Sequence, residues 1–254
     1  MKTKLIQRDY QVFEGRYNSQ MPKLVQEGLT PLTVKDVMKY RLQAIQRKDK
    51  DEMNFWLNQY FDTVDGLAYH KGQLIVVPNS QELLNINEDS KLNNGSLKLN
   101  DEQYKELSKK HEVIKRNKIT SEKSLTKQEA KLHPIWLKLA QEDKSLLNEY
   151  TDAIFAKAKE VYDYDENMGV YLPDDQEQPA MRGWCLWVLS GGSSASAGVL
   201  SDVFRLFGVR VQNLGSTLEK IAKEAKIMNP QEVRKALEFY KSGKTGKLDL
   251  KLLQ

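Results

Sequence analysis

The sequence predicts an α+β fold, and three observations carry that prediction. Apolar residues recur at helical spacing over residues 34–45, 135–161 and again beyond residue 213. Short β-branched and aromatic runs occupy 64–78, 169–173 and 184–211. The third observation is one anomalous stretch, residues 183–211, built from two Trp, a run of Gly, Ser and Ala, and two Arg. Lys, Glu, Gln, Asn and Met are all absent from it. The stretch has three readings: a buried sheet, a phosphate-cradling loop, or a surface whose composition something other than packing has set.

Taken in order, residues 1–30 carry Tyr10, Phe13 and Tyr17 with two breakers, Gly15 and Pro22, and predict an irregular arm with a short strand. Thr33 with Asp36 resembles a capping box, and Pro31 suits a helix entry. Val34, Val37, Met38, Arg41, Leu42 and Ile45 then share one helical face. A second helix is expected over 52–61, anchored in the core by Phe55, Trp56 and Tyr60. Two β-rich runs flank Lys71-Gly72, so 64–78 reads as a β-hairpin. Asn79 or Ser80 caps a short helix to Leu84, and Asn93-Asn94-Gly95 makes a turn before a strand over 96–99. Asn100 caps a helix over 101–108.

Residues 109–124 read as a polar, mobile connection. Their basic run is interrupted by Glu112 and apolar residues, which suits a solvated face. Thr126 with Glu129 signals a helix start, and Pro134 opens a further helix carrying Ile135, Trp136, Leu137 and Leu139. A longer helix covers 145–162, with Leu147, Tyr150, Ile154, Ala158 and Val161 on one face. A strand over 169–173 and an acidic loop over 174–179 lead into the anomalous stretch. Two helices, 214–226 and 230–240, follow it, with a Gly- and Lys-rich tail at 241–254 that reads as loosely held. No internal repeat is present.

The totals bound function. The chain has 254 residues, enough for one large domain or two modest ones, and a net charge of +4 that is evenly mixed. Such a balance gives little steering toward nucleic acid, and none is expected as a partner. The single cysteine, Cys185, excludes an internal disulfide and a cysteine zinc cluster. No signal peptide and no membrane span are read, so the cytoplasm is the default, with delivery to a virion or cell surface by another route left open.

Catalytic patterns are thin. His70, His111 and His133 are far apart in sequence, and His133 sits at a helix boundary where a structural role is expected. Asp163, Asp165, Glu166 and Asn167 hint at a calcium loop, but Gly169 falls one position late and no bidentate Glu follows. Asp174, Asp175 and Glu177 suit an acidic turn better than a cation site. No Gly-x-Ser-x-Gly elbow exists. No metal or cofactor is therefore expected. A strand over 184–189 followed by the Gly/Ser run at 190–198 is the arrangement of a backbone phosphate cradle. Against it, the Lys-Ser/Thr ending and the dinucleotide glycine spacing are both missing. Burial accounts for Leu186, Trp187, Val188, Leu206, Phe207 and Val209, since cores lack Lys and Glu. It leaves the polar run 190–196 unexplained.

The same residues carry a family resemblance. Leu186-Trp187-Val188, the small-residue run, Leu200 and then Arg205-Leu206-Phe207-Gly208-Val209-Arg210 resemble the variable region of target proteins of diversity-generating retroelements, those of archaea and their viruses above all. Asp62-Thr63, the hairpin, residues 99–104, His133-Pro134-Ile135-Trp136 and residues 168–172 are similar to that group too. The helices beyond Val211 depart from it. The resemblance implies a C-type-lectin-like domain with helical additions at both ends. It also implies mutation at adenines of Asn codons, which never yields Lys, Glu, Gln, Met or Trp. Trp184 and Trp187 would then be scaffold. The implied architecture is an arm at 1–30, a helix and hairpin region at 31–124, a lectin-like core at 125–213 with its variable region at 185–210, and a helical extension at 214–254.

Under that resemblance the chain is a non-enzymatic binder of an unknown ligand, a protein or other macromolecule, and needs no cofactor. Period-two alternation would put Cys185, Trp187 and Leu189 on one strand face and Leu186 and Val188 on the other. The implied contact residues are Leu189, Gly192, Ser193, Ser194, Ser196, Val199, Ser201, Asp202, Val203 and Phe204, with Cys185 the weakest member. The implied scaffold is Leu186, Trp187, Leu200, Leu206, Gly208, Val209 and Arg210. Two alternatives stay open: a phosphate- or nucleotide-binding enzyme using the loop at 190–198, and a plain structural or interaction module.

Overall fold

The structure is a computed structural model, and it describes residues 10–209. The expected helices at 214–226 and 230–240, the tail and Arg210 lie outside the described residues. Strand β1 (Tyr10–Arg16) runs directly into helix α1 (Tyr17–Gln26), and β2 (Thr30–Pro31) leads to α2 (Val34–Arg47) and α3 (Lys50–Leu57). Then come β3 (Phe61–His70), β4 (Gln73–Val77), α4 (Gln81–Leu84), β5 (Leu92–Asn93), β6 (Ser96–Lys98), α5 (Asp101–Lys110) and β7 (Ile114–Lys115). Three helices follow: α6 (Lys127–Leu132), α7 (Pro134–Leu139) and α8 (Lys144–Tyr162). The last strands are β8 (Val170–Tyr171), β9 (Ala180–Leu186), β10 (Ala195–Gly198) and β11 (Val203–Val209).

All the strands join one sheet, whose main path runs β1-β11-β3-β9-β10-β8. Its two faces are both buried, and successive residues divide between them as a pleated strand requires. Leu74 and Val76 enter one apolar cluster while Ile75 and Val77 enter the other. Phe207 and Leu206 divide the same way. The first cluster packs the sheet against α2, α3 and α6 to α8, and the second against α1, α4 and α5. Two-sided burial explains why β4 reads as an unbroken apolar run.

The capping signals are realised. Thr33 and Asp36, Asn100 and Gln103, and Thr126 and Glu129 each form a reciprocal box at the starts of α2, α5 and α6. Ser80, rather than Asn79, caps α4. The β3–β4 hairpin turns at Lys71 (φ 47°) and Gly72 (φ 71°), both left-handed as a two-residue hairpin turn demands.

Several expectations are corrected. From Tyr10 onward the N-terminal segment holds the expected short strand, β1, and then a helix, α1, in place of irregular chain. β1 pairs along its whole length with β11, from Tyr10 opposite Val209 to Arg16 opposite Val203. Gly15 takes φ 144°, which lets the strand bend sharply into α1. Pro22 lies inside α1, where it costs roughly 3 kcal/mol. Burial of Tyr17, Met21 and Leu24, at roughly 1.5–3 kcal/mol each, outweighs that cost. Phe61 belongs to β3 rather than to the second helix, which ends at Leu57. The 109–124 connection contains β7, whose Lys115 and Ile114 pair with Gln73 and Leu74. Val161, expected on the buried face of α8, is exposed.

Candidate functional site

At the end of β9, Cys185, Ser196 and Tyr171 stand abreast on three neighbouring strands of the sheet. Cys185 pairs with Ser196 of β10, and Ser196 with Tyr171 of β8. Beside this row lies a shallow cavity of about 380 Å³. Five of the sequence-predicted contact residues line it: Cys185, Ser196, Val199, Asp202 and Val203. Tyr171, Arg182 and Trp187 are among its other wall residues.

The aromatic wall is held from several sides. Trp187 stacks on Tyr171 with centroids 5.1 Å apart and planes 3° from parallel, while Tyr60 approaches edge-on at 6.4 Å. The Trp187 N–H donates to the Ser194 carbonyl at 2.8 Å. Its carbonyl accepts from Arg41 Nη2, also at 2.8 Å. Arg41 is fully buried in α2 and is bonded besides to the carbonyl of Trp56 and the hydroxyl of Tyr150. A guanidinium whose fork reaches α3, α8 and the start of the variable stretch ties three elements to the cavity wall.

The opposite rim, residues 199–203, hangs on the β5–β6 turn. Leu200 is buried, and its N–H donates to the Gly95 carbonyl at 2.7 Å. Asp202 N–H closes a turn on the Val199 carbonyl at 2.9 Å. With Leu200 inside and the backbone pinned, Ser201, Asp202 and Val203 point outward, Val203 at 81% exposure. Arg182 is committed to the same support. Its Nε donates to Ser96 Oγ and its Nη2 to the Asn94 carbonyl, both at 2.9 Å.

Beneath the cavity Cys185 meets Asp62 of β3, which is 4% exposed and accepts the Arg205 backbone N–H at 2.7 Å. Burial pushes the Asp62 carboxyl up to about 7, against the lowering effect of its bonds from Arg205 and Cys185. Burial, and then the Asp62 charge, push the Cys185 thiol well above its usual value. A thiol so placed is protonated at neutral pH, and only a thiolate is strongly nucleophilic.

Four further predicted contact residues, Leu189, Gly192, Ser193 and Ser194, do not join this surface. β9 ends at Leu186, and the chain turns inward through a 3-10 turn at Leu189–Gly191. Leu189 is therefore buried in the core at 2% exposure, not on the face it was expected to share with Cys185 and Trp187. Gly192, Ser193 and Ser194 are buried as well. Gly192 and Ser193 take positive φ, 75° and 47°, to make the turn back toward β10. Met168 N–H donates to the Gly192 carbonyl at 2.7 Å, docking the loop on the segment before β8. Phe204 lies in β11 opposite Gly15.

Nor does the loop form a phosphate cradle. The N–H groups of Gly191, Gly192, Ser193 and Ala195 are given to the carbonyls of Val188, Leu189, Val188 and Gly169. A cradle needs those donors turned toward a ligand. Of the expected scaffold, Leu186, Leu200, Leu206 and Gly208 are buried and Val209 half-buried, while Trp187 is half-buried and also lines the cavity. Arg210 lies outside the described residues.

Tyr171 and Arg182 were not singled out by sequence, and Tyr60, expected as a core anchor of the second helix, is instead exposed beyond the end of α3. Tyr60 and Tyr171 were visible only as members of a helix and a strand, and their approach to Trp187 depends on tertiary packing. His133 serves as a cap: its Nδ1 accepts from Ile135 N–H at 3.3 Å and its Nε2 bonds the Thr120 carbonyl at 2.8 Å. Asp163 and Asp165 are both paired with Lys159. Among the described residues no cluster of three or more His, Cys, Asp or Glu could hold a metal ion. Likewise, no helix among them is long and apolar enough to cross a membrane.

No protein-family model matches the chain, and no curated protein sequence matches it. A solved structure does. It is described as "Accommodation of massive sequence variation in Nanoarchaeota by the C-type lectin fold", and it aligns over 82% of this chain and 100% of its own at a TM-score of 0.62 and 15% identity. At that identity the likeness speaks to fold alone. The fold of this chain is C-type-lectin-like, an α+β domain with helices packed on both faces of its sheet.

Proposed function

We propose that this chain is a non-enzymatic binding protein whose contact surface is the cavity between Trp187 and the 199–203 rim, and that adenine-directed retroelement mutagenesis diversifies it. One observation carries the reading most. Ser196, Asp202 and Val203 line one cavity with partly or fully exposed side chains, and the exposed Ser201 adjoins them in the chain, on backbone held by buried neighbours. An exposed Val203 is of no use to the core and is useful as an apolar anchor for a partner. The missing Lys, Glu, Gln and Met of residues 183–211 support the same reading, because Asn codons altered at adenines cannot encode them. So does the resemblance to a C-type-lectin structure described as accommodating massive sequence variation.

On this reading the contact set is Cys185, Ser196, Val199, Ser201, Asp202 and Val203. The buried Leu189, Gly192, Ser193 and Ser194 act on the surface only through the loop they build. The partner is a protein or another macromolecule, since a shallow rimmed cavity offers little enclosure to a small molecule. The proposed scheme keeps 214–254 as a separate extension, and the lectin-like domain is extended from 125–213 to take in 10–124 as well, because β1 to β7 share the sheet of β8 to β11. The decisive experiment is to sequence the neighbouring DNA. A near-identical copy of codons 186–210 that differs only at adenines, beside a reverse-transcriptase gene, is the expected result. Its absence would remove the diversification claim and leave a binding module.

A further inference from the structure

At the hairpin tip, a second cavity of about 590 Å³ is bounded by residues that share nothing with the first. Two segments build it. The left-handed turn at Lys71 and Gly72 brings the end of the hairpin round, and β7 lays Lys115 beside Gln73. The Arg116 N–H then donates to the Gly72 carbonyl at 2.9 Å, so chain 115–117 is stapled to the turn. Lys71, Lys115 and Arg116 line the resulting hollow together with the neutral donors Asn117 and Ser121, and no carboxylate is among the lining residues.

The cations here also lack ion-pair partners. Among the described residues no carboxylate lies within 4 Å of the Lys71, Lys115 or Arg116 side-chain nitrogens, so their charges are not neutralised by an ion pair. Arg116 spends one nitrogen on the Pro173 carbonyl, which orients its guanidinium. Asp175 accepts the Gly72 N–H at the hairpin turn, so a negative charge stands near the three positive ones. A concave site with like charges on its walls concentrates counter-ions. Arg and Lys with neutral donors beside them is the set that recognises a phosphate group.

We propose that the Lys71–Lys115–Arg116 hollow is an anion site that takes a phosphate group, separate from the cavity at β9 and β10. The full chain is titrated at constant ionic strength with inorganic phosphate in one arm. In the other arm it is titrated with vesicles of phosphatidylcholine carrying phosphatidic acid. Lys71→Gln/Lys115→Gln, two exposed positions, is run in parallel with its thermal unfolding midpoint as the check on folding. The expected result is saturable binding in at least one arm that falls roughly ten-fold or more in the double variant, with the midpoint unchanged. The tighter arm names the source, free phosphate or a lipid headgroup. Binding no stronger than to chloride, or equal binding by the folded double variant, overturns the proposal. If the double variant fails to fold, Lys115→Gln alone is read by the same criterion.

Discussion

Arg41 is the residue on which the cavity wall depends most. Its side chain has no exposure, and its nitrogens serve the carbonyls of Trp56 and Trp187 and the hydroxyl of Tyr150. Arg41→Met would leave those acceptors buried and unpaired, at a cost of roughly 3 kcal/mol or more. Arg41→Lys should lose nearly as much, because one ammonium cannot reach acceptors spread around a planar fork. Chemical denaturation of both variants checks this. Asp62 makes a second prediction, through pH. Its folded carboxyl titrates at about 7, well above the roughly 3.9 expected of the unfolded chain. Between those values the folded state holds a proton that the unfolded chain has released, so this residue's contribution to stability falls as pH rises from about 4 to about 7. Asp65, also raised to about 7 by burial, acts in the same direction, while His133, lowered by burial, acts in the opposite one. The parent's own pH curve therefore mixes these groups. The difference between Asp62→Asn and the parent isolates Asp62: the variant should be more stable by up to roughly 4 kcal/mol at pH 8, an advantage that vanishes toward pH 4.

Among elements, the β5–β6 turn has an influence larger than its length. A Cβ at Gly95 would collide with Val199 Cγ1, and the turn needs φ 69° there. Gly95→Ala should destabilise by roughly 1–3 kcal/mol through backbone strain and overpacking. It should also displace Val199, which weakens binding at the rim and leaves the hairpin-tip cavity untouched. Thermal unfolding together with binding of a selected ligand would read both effects. This turn was legible in advance, because Asn-Gly between β-prone residues has few other uses. So were the capped helices, whose signals are local: Thr33 with Asp36 needs nothing beyond its own turn. α1, and the full pairing of the short strand before it, were hidden by the same locality. Gly15 and Pro22 are breakers by propensity, and only their position, at a strand-to-helix bend and in a helix with one face fully buried, makes them tolerable. The 189–194 loop failed for a different reason. Ser and Gly are as suited to a tight buried loop as to a mutable surface, so composition could not tell Ser193 and Ser194 from Ser196 and Ser201.

For the whole molecule, two-sided burial of the sheet separates stability from the exposed rim. Apolar clusters on both faces hold β3, β9 and β11, and the surface set at 196 and 201–203 adds little to either. Replacing all of Ser196, Ser201, Asp202 and Val203 at random should therefore leave most variants folded. Surface substitutions of this kind each stay within roughly 0.5 kcal/mol. Leu189→Ala, in the same stretch but inside the core, should cost roughly 2–5 kcal/mol. The measurement is a pooled proteolysis or thermal-challenge survey of a library at those four positions, with Leu189→Ala as the sensitive control. If the library and the control collapse together, these side chains are part of the core's packing and a diversified surface is untenable here. If the library survives and only the control falls, binding selections on the survivors become meaningful, because gained affinity can then be assigned to the rim instead of to rescued folding.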